Sequence, residues 1–198
     1  MREIVLDTET TGLDPRKGDR VVEIGCVELI NHVPTDNEYH VYINPERDMP
    51  TAAFEVHGLS EEFLSDKPVF ADVAQGFLDF VGDSPLVIHN ASFDMGFLNA
   101  ELKMLGRPIL PADRAIDTLM MARKKFPGSP SSLDALCRRY NIDLTVRDKH
   151  GALIDSILLA RVYLELIGGA QPGLDLTEAS TATKSGGVSA SISPVSKR

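Results

Sequence analysis

The chain has 198 residues, of which 43% are hydrophobic and 25% are charged. This length and composition are typical of a globular protein with one domain and a short extension, and they exclude fibrous, collagen-like and wholly disordered chains. The formal net charge of −9 at pH 7 argues against a protein that coats nucleic acid through a basic surface, but it is compatible with an enzyme that contacts a few phosphates through metal ions.

The cysteines and the apolar runs indicate a reduced, cytoplasmic protein. Cys26 and Cys137 lie among apolar residues, far apart in the sequence and without a CxxC or zinc-type spacing. The first apolar run, Ile4 to Leu6, ends at Asp7, and no segment has the length of a signal-peptide core or a membrane span. We therefore expect buried thiols, no membrane partner and a cytoplasmic location.

Three segments near the N-terminus are rich in β-branched residues, and turns that contain Gly or Pro separate them. They are Glu3 to Leu6, Arg20 to Ile30 and Glu38 to Ile43. These segments predict a three-stranded meander. Pro85 to His89 is a further short apolar strand.

Apolar residues recur at helical spacing in four later segments. The segments are marked by Phe70 to Val81, by Phe93 to Leu105, by Leu133 to Tyr140 with Ser131 or Ser132 as the cap, and by Gly151 to Ile167. Strands first and helices interleaved later predict an α/β domain with a mixed central sheet flanked by helices, over residues 1–168. Residues 169–198 contain no aromatic residue and many Ser, Thr, Gly and Ala residues, a composition that predicts a flexible tail.

The first cluster of reactive residues, DTETTG, follows the apolar strand. Side chains two apart on a strand point the same way, so Asp7 and Glu9 present two carboxylates to one place. Two adjacent anions repel unless a cation lies between them, and hard divalent metals prefer oxygen ligands. The alternative is a solvated turn after a strand.

Two more acids occur at positions that favour the same site. Asp94 lies in the first turn of a predicted helix, where the helix dipole favours a negative charge, although a helix-capping aspartate has the same position. Asp155 lies on the apolar stripe of the last helix, and buried carboxylates are rare unless they are paired or bound to metal. His150 precedes Asp155 by five residues, about 140° around a helix, so it can share a site only from the preceding loop or helix start. The alternative for His150 is a surface residue or a cap.

Together, DTETTG, HNASFDMGFL and HGALIDS resemble the three motifs of the DEDD exonucleases, in the subgroup with histidine in the third motif. The segments EIVLDTETTG, FEVHGLSEEFLSDKP, KFPG and SLDALCRRY are similar to those of the epsilon, or proofreading, subunits of bacterial DNA polymerase III. The resemblance covers nearly the whole body of the chain. It implies a ribonuclease H-like fold and 3′–5′ hydrolysis of single-stranded or mispaired DNA ends, with release of nucleoside monophosphates.

The resemblance also implies roles for individual residues. Asp7, Glu9, Asp94 and Asp155 would bind two divalent ions, Mg²⁺ or Mn²⁺, and His150 would be the general base. Such a pair of ions, about 3.5–4 Å apart, can activate water and stabilise the leaving oxygen. The substrate would be contacted by Asp7, Glu9 and Asp155 together with His57, Ala52 and Leu13, of which Leu13 would wedge between the last two bases.

The resemblance further implies partners. They are the catalytic (alpha) subunit of the polymerase and the sliding clamp (beta). Residues 171–176 in the tail resemble the Gln-x-x-Leu-x-Leu/Phe peptides that bind the clamp, with Gln171, Leu174 and Leu176 as anchors.

Three other functions remain open on the sequence. The catalytic acids do not distinguish DNA from RNA, so a 3′ exoribonuclease of the same superfamily is one alternative. A phosphatase with a D-x-D nucleophile is a second, but position 9 is Glu rather than Asp. A binding module that kept the fold and lost catalysis is the third, and it would leave the four acids and the histidine unexplained.

Overall fold

The computed structural model describes residues 1–145 and 149–168. Its sheet has the strand order β3-β2-β1-β4-β5. The strands are β1 (Arg2–Thr10), β2 (Val21–Ile30), β3 (Val33–Tyr42), β4 (Leu86–Ile88) and β5 (Ala115–Asp117). The first three form an antiparallel meander, and β4 and β5 run parallel to β1. The sheet is therefore mixed, as predicted.

The helices lie between these strands in the chain or after the last of them. They are α1 (Thr51–His57), α2 (Glu61–Leu64), α3 (Phe70–Val81), α4 (Ala91–Met104), α5 (Thr118–Lys125), α6 (Leu133–Arg139) and α7 (Ala152–Leu166). Two short 3₁₀ helices, Pro15–Lys17 and Ala112–Arg114, lie in loops.

The core consists of two apolar layers, one on each face of the sheet. Ile4 and Leu6 of β1 pack with α3 and α4 on one face. Val5, between them, packs with α5, α6 and α7 on the other face. Because successive side chains of a strand point to opposite faces, a strand covered on both sides is apolar throughout. This explains the uninterrupted run at the start of the chain.

The predicted meander and the four predicted helices are confirmed, but the predicted start of the third strand at Glu38 is wrong, since β3 begins at Val33 and pairs with β2 from there. Ser132, rather than Ser131, caps α6 by accepting a hydrogen bond from the backbone N–H of Ala135. The predicted end of the first strand at Leu6 is wrong, since β1 continues through Thr10 by pairing with β2. The sequence analysis also missed four short elements, α1, α2, β5 and α5.

Cys26 and Cys137 are buried and do not form a disulfide, as expected. Among the described residues, no helix has both the length and the apolar character needed to cross a membrane. The predicted tail, residues 169–198, lies outside the described residues.

Candidate active site

Two of the predicted acids lie on β1, on the face that packs against α7. Asp7 is partly exposed and Glu9 is buried. In the antiparallel ladder with β2, Asp7 is opposite Gly25 and Glu9 is opposite Glu23. Burial raises the pKa of Asp7 well above its usual value, and the charges of Asp94, Glu9 and Asp155 raise it further. The four predicted acids therefore influence one another electrostatically.

Asp94 lies in the first turn of α4 and is 3% exposed. Asn90, with φ of 68°, turns the chain sharply between β4 and α4. The Oδ1 atom of Asp94 accepts hydrogen bonds from the backbone N–H of Thr8 at 3.0 Å and from its hydroxyl at 2.7 Å. Burial raises the pKa of Asp94 to about 7, although the bonds from Thr8 oppose this shift. Thr8 thus fixes the orientation of Asp94 against β1.

Two residues at this site, Thr8 and Asp117 at the end of β5, were not predicted from the sequence. The carboxylate of Asp117 accepts bonds from Asn90 and Ala91 at the start of α4, and from Leu119 and Met120 at the start of α5. It therefore joins the N-termini of two helices at the sheet edge where Asp94 lies. An Asp directly before a helical segment is a capping signal, but the three-residue strand β5 has too short a pattern to be recognised.

Asp155 and His150 come from α7 and from the loop before it. Asp155 is 3% exposed, in the first turn of α7. His150 precedes the helix, as the angular argument required, and its side chain is half-exposed. Nδ1 of His150 lies 3.2 Å from Oδ2 of Asp155. The backbone N–H of His150 donates to the carbonyl of Val56 in α1 at 3.3 Å.

The donor atoms of this cluster suit a hard divalent cation. One ligand atom from each of Glu9, His150 and Asp155 lies within 4.8 Å of the others. Asp7 is close enough to these acids for their charges to raise its pKa. Buried carboxylates that repel one another are stabilised by a cation between them, and carboxylate oxygens are the ligands that Mg²⁺ and Mn²⁺ prefer. The residues therefore fit a divalent metal centre.

A cavity of about 500 Å³ adjoins these acids. Glu9, Leu13, Ala52 and His57 all line it, so four of the six residues expected to contact a substrate share one cavity, and one of them, Glu9, is also a predicted metal ligand. Leu13 is 85% exposed and projects from the loop after β1. Phe93 of α4 also contributes to the wall.

His57 is buried, and one of its ring nitrogens makes no hydrogen bond of normal geometry to the described protein atoms, although the Thr10 backbone lies close enough to raise the pKa of the ring. Its Nδ1 accepts a hydrogen bond from the backbone N–H of Leu59 at 3.0 Å, so in the neutral ring the proton is on Nε2. Nε2 is buried and has no hydrogen-bond partner among the described residues. Burial lowers the pKa of His57, which favours this neutral form. A buried N–H without a partner is available to a ligand.

Comparisons with known proteins identify the family of the chain. A family model described as Exonuclease matches residues 4–163. The chain belongs to the exonuclease family. It is 55% identical to DNA polymerase III subunit epsilon of Rickettsia felis over 92% of this chain and 81% of the relative. It is 49% identical to the same subunit of Escherichia coli over 85% of this chain and 72% of the relative.

Solved structures with the same fold are also exonucleases. Exonuclease X in complex with 5′ overhanging duplex DNA superposes with a TM-score of 0.66 at 27% identity, over 83% of this chain and 90% of that chain. The nuclease domain of 3′hExo, a DEDDh family member, has a TM-score of 0.71 at 19% identity, over 84% of this chain and 91% of that chain. The fold is the ribonuclease H-like exonuclease fold, and the chain is a nuclease.

Proposed function

We propose that this exonuclease removes nucleotides one at a time from the 3′ end of single-stranded or mispaired DNA, as the proofreading subunit of a replicative DNA polymerase III. Nucleoside monophosphates are the product. The proposal rests on the meeting of four acids and a histidine beside a nucleotide-sized cavity. The surrounding chain is about half identical to curated epsilon subunits over most of its length.

The cavity offers apolar surfaces and one hydrogen-bond donor to a terminal nucleotide. Its volume of about 500 Å³ lies within the usual range for small-ligand sites. Leu13, Ala52 and Phe93 offer apolar surfaces to a base without reading its edge, which suits a site that accepts any base. The Nε2 hydrogen of His57 donates to an oxygen of the bound nucleotide. Leu13, exposed at the mouth, separates the last base from the one before it.

Asp7, Glu9, Asp94 and Asp155 are proposed to hold two divalent ions, Mg²⁺ or Mn²⁺. When bound, such a pair lowers the pKa of an attacking water and stabilises charge on the scissile phosphate and the leaving 3′ oxygen. Thr8 occupies Oδ1 of Asp94 with two hydrogen bonds, so Oδ2 would be the oxygen of Asp94 available to hold an ion. Asp7, Glu9 and Asp155 would also contact the substrate.

His150 is proposed to accept the proton of the attacking water. The Asp155 carboxylate, 3.2 Å from Nδ1, holds a proton on that nitrogen, and Nε2 takes the proton from the water. A neutral imidazole nitrogen can accept a proton from water. The half-exposed position of the side chain lets the proton pass on to solvent.

The decisive experiment uses a 5′-labelled DNA strand, alone or in a duplex with a matched or mispaired 3′ end. With Mg²⁺ or Mn²⁺, we expect the single strand and the mispaired end to shorten one nucleotide at a time. EDTA, or the change Asp155→Asn, should abolish shortening. An RNA strand of the same sequence is the matched comparison, because faster degradation of RNA would favour the exoribonuclease alternative. A purified protein that degrades neither strand would contradict the proposal.

The partners proposed for this chain are the alpha subunit and the sliding clamp of the polymerase, in the cytoplasm. The relatives are themselves named as polymerase III subunits, which supports this assignment. We also propose that residues 1–168 are the catalytic domain and that residues 169–198 are a tail. The clamp anchors Gln171, Leu174 and Leu176 lie outside the described residues, so this part of the proposal depends on the sequence pattern alone.

A further inference from the structure

Gly25, in the middle of β2, lies directly beneath the start of α7. A Cβ atom on Gly25 would lie 2.3 Å from the carbonyl carbon of Ala152 and 2.3 Å from the nitrogen of Leu153. It would lie 2.4 Å from the carbonyl oxygen of Ala152. All three atoms belong to the backbone of α7. No flexible side chain can move aside to make room.

Position 25 therefore requires glycine because the backbone of α7 leaves no room for a side chain there. Gly25 is not among the residues with positive φ, so its backbone conformation does not itself favour glycine. Non-bonded carbon atoms pack at about 3.5–4.0 Å, so any side chain here would have to displace the first turn of α7 by about 1 Å or more.

The start of α7 and the loop before it carry two residues of the proposed active site. Asp155 lies three residues after Ala152, and His150 lies two residues before it. Two further acids, Asp7 and Glu9, are on β1, where Asp7 is the residue paired with Gly25. The contact between Gly25 and α7 thus lies next to Asp7 in the sheet and at the start of the helix that carries Asp155.

A second contact holds the helix at the same point. The buried hydroxyl of Ser156 donates a hydrogen bond to the carbonyl of Gly25 at 2.9 Å. Ser156 is adjacent to Asp155 and fully buried. Gly25 permits the close approach of α7 to β2, and the hydrogen bond from Ser156 stabilises α7 at that distance.

We infer that Gly25 is a positioning residue that sets, together with Ser156, the distance across which β1 and α7 hold the metal ions. This inference rests on the proposed function. A displacement of about 1 Å in a catalytic site can reduce turnover about 10²-fold, and residues that support metal ligands contribute about 10–100-fold to metal affinity. The terminal-nucleotide cavity is lined by β1, α1, α4 and nearby loops, and α7 does not contribute to its described lining.

The test compares Gly25→Ala and Ser156→Ala with the wild-type chain. Circular dichroism and thermal unfolding report on the fold, Mn²⁺ titration reports on metal affinity, and hydrolysis of a single strand gives kcat and KM. For Gly25→Ala we expect a folded protein with Mn²⁺ affinity and kcat each reduced about 10²-fold, and with KM for DNA nearly unchanged. For Ser156→Ala we expect a smaller loss of Mn²⁺ affinity, about tenfold.

Gly76→Ala is the matched control, because it adds the same methyl group to an exposed position of α3, where the nearest atom is a Tyr39 ring carbon at 3.6 Å. It should bind Mn²⁺ and turn over as the wild type does. Wild-type metal affinity and kcat in folded Gly25→Ala would overturn the inference. If Gly25→Ala does not fold, unchanged Mn²⁺ affinity in Ser156→Ala would overturn it. A wild-type chain without hydrolytic activity would instead contradict the proposed function.

Discussion

Replacing Asp94 by asparagine should stabilise the metal-free protein above neutral pH. Asp94 is 3% exposed, and its pKa is about 7 in the folded protein against an ordinary value of 3.8. Above pH 7, without metal, Asp94 is therefore charged while it is buried in the folded chain. The carboxylate is less stable there than in the unfolded chain, where water solvates it. Asparagine removes the charge and keeps an Oδ1 atom to accept the two bonds from Thr8.

The size of this effect follows from the pKa difference. The pKa of Asp94 is shifted by about three units, and each unit corresponds to about 1.36 kcal/mol. The free energy of unfolding of the metal-free protein is therefore about 4 kcal/mol lower when Asp94 is charged than when it is protonated. Because the folded pKa is raised, the stabilising contribution of the protonated form is complete below about pH 4 and is lost as the pH rises through about 7. Asp94→Asn should thus gain the most at pH 8 and almost nothing at pH 4.

Urea unfolding in EDTA at pH 8, 6 and 4 measures this gain. Asp83→Asn, in an exposed loop position, is the matched control and should leave the stability nearly unchanged at each pH. Adding Mn²⁺ at pH 8 should stabilise the wild type far more than Asp94→Asn, because the cation compensates the negative charge of Asp94 and the variant lacks that charge. Equal stability of wild type and Asp94→Asn in EDTA at pH 8 would refute the reasoning, as would a variant less stable at every pH.

Three other changes test the remaining assignments. His150→Ala should reduce kcat about 10²–10⁴-fold, as expected for loss of a general base, while Mn²⁺ still protects the variant against thermal unfolding; wild-type turnover would exclude His150 as the base. Leu13→Ala should raise KM for a single strand several-fold without lowering the melting temperature, because Leu13 is 85% exposed and contributes little to the core. An unchanged KM would show that Leu13 does not contact the substrate. Replacing Gln171, Leu174 and Leu176 together by alanine should abolish binding to purified sliding clamp and leave the hydrolysis of short single strands intact, and equal clamp binding by the two proteins would remove the clamp assignment.

The sequence by itself determined the features that depend on local spacing. The apolar period of the last helix placed Asp155 on its buried side, and the structure has it 3% exposed. The same kind of pattern predicted α3 and α6 with their bounds nearly as observed. Side chains three or four apart on a helix share a face whatever the rest of the chain does, so these positions can be read without knowledge of the fold.

Only the tertiary structure decided how the acids on β1, α4 and α7 come together. The extension of β1 through Thr10 depends on pairing with β2, and the polar residues DTET show no apolar pattern of their own. The bonds that Asp117 accepts from the start of α4, and the space that Gly25 leaves for α7, join segments that are far apart in the sequence. Contacts of this kind depend on where the backbone of another element lies, and that position is set by packing across the whole sheet rather than by the residues nearby in the sequence.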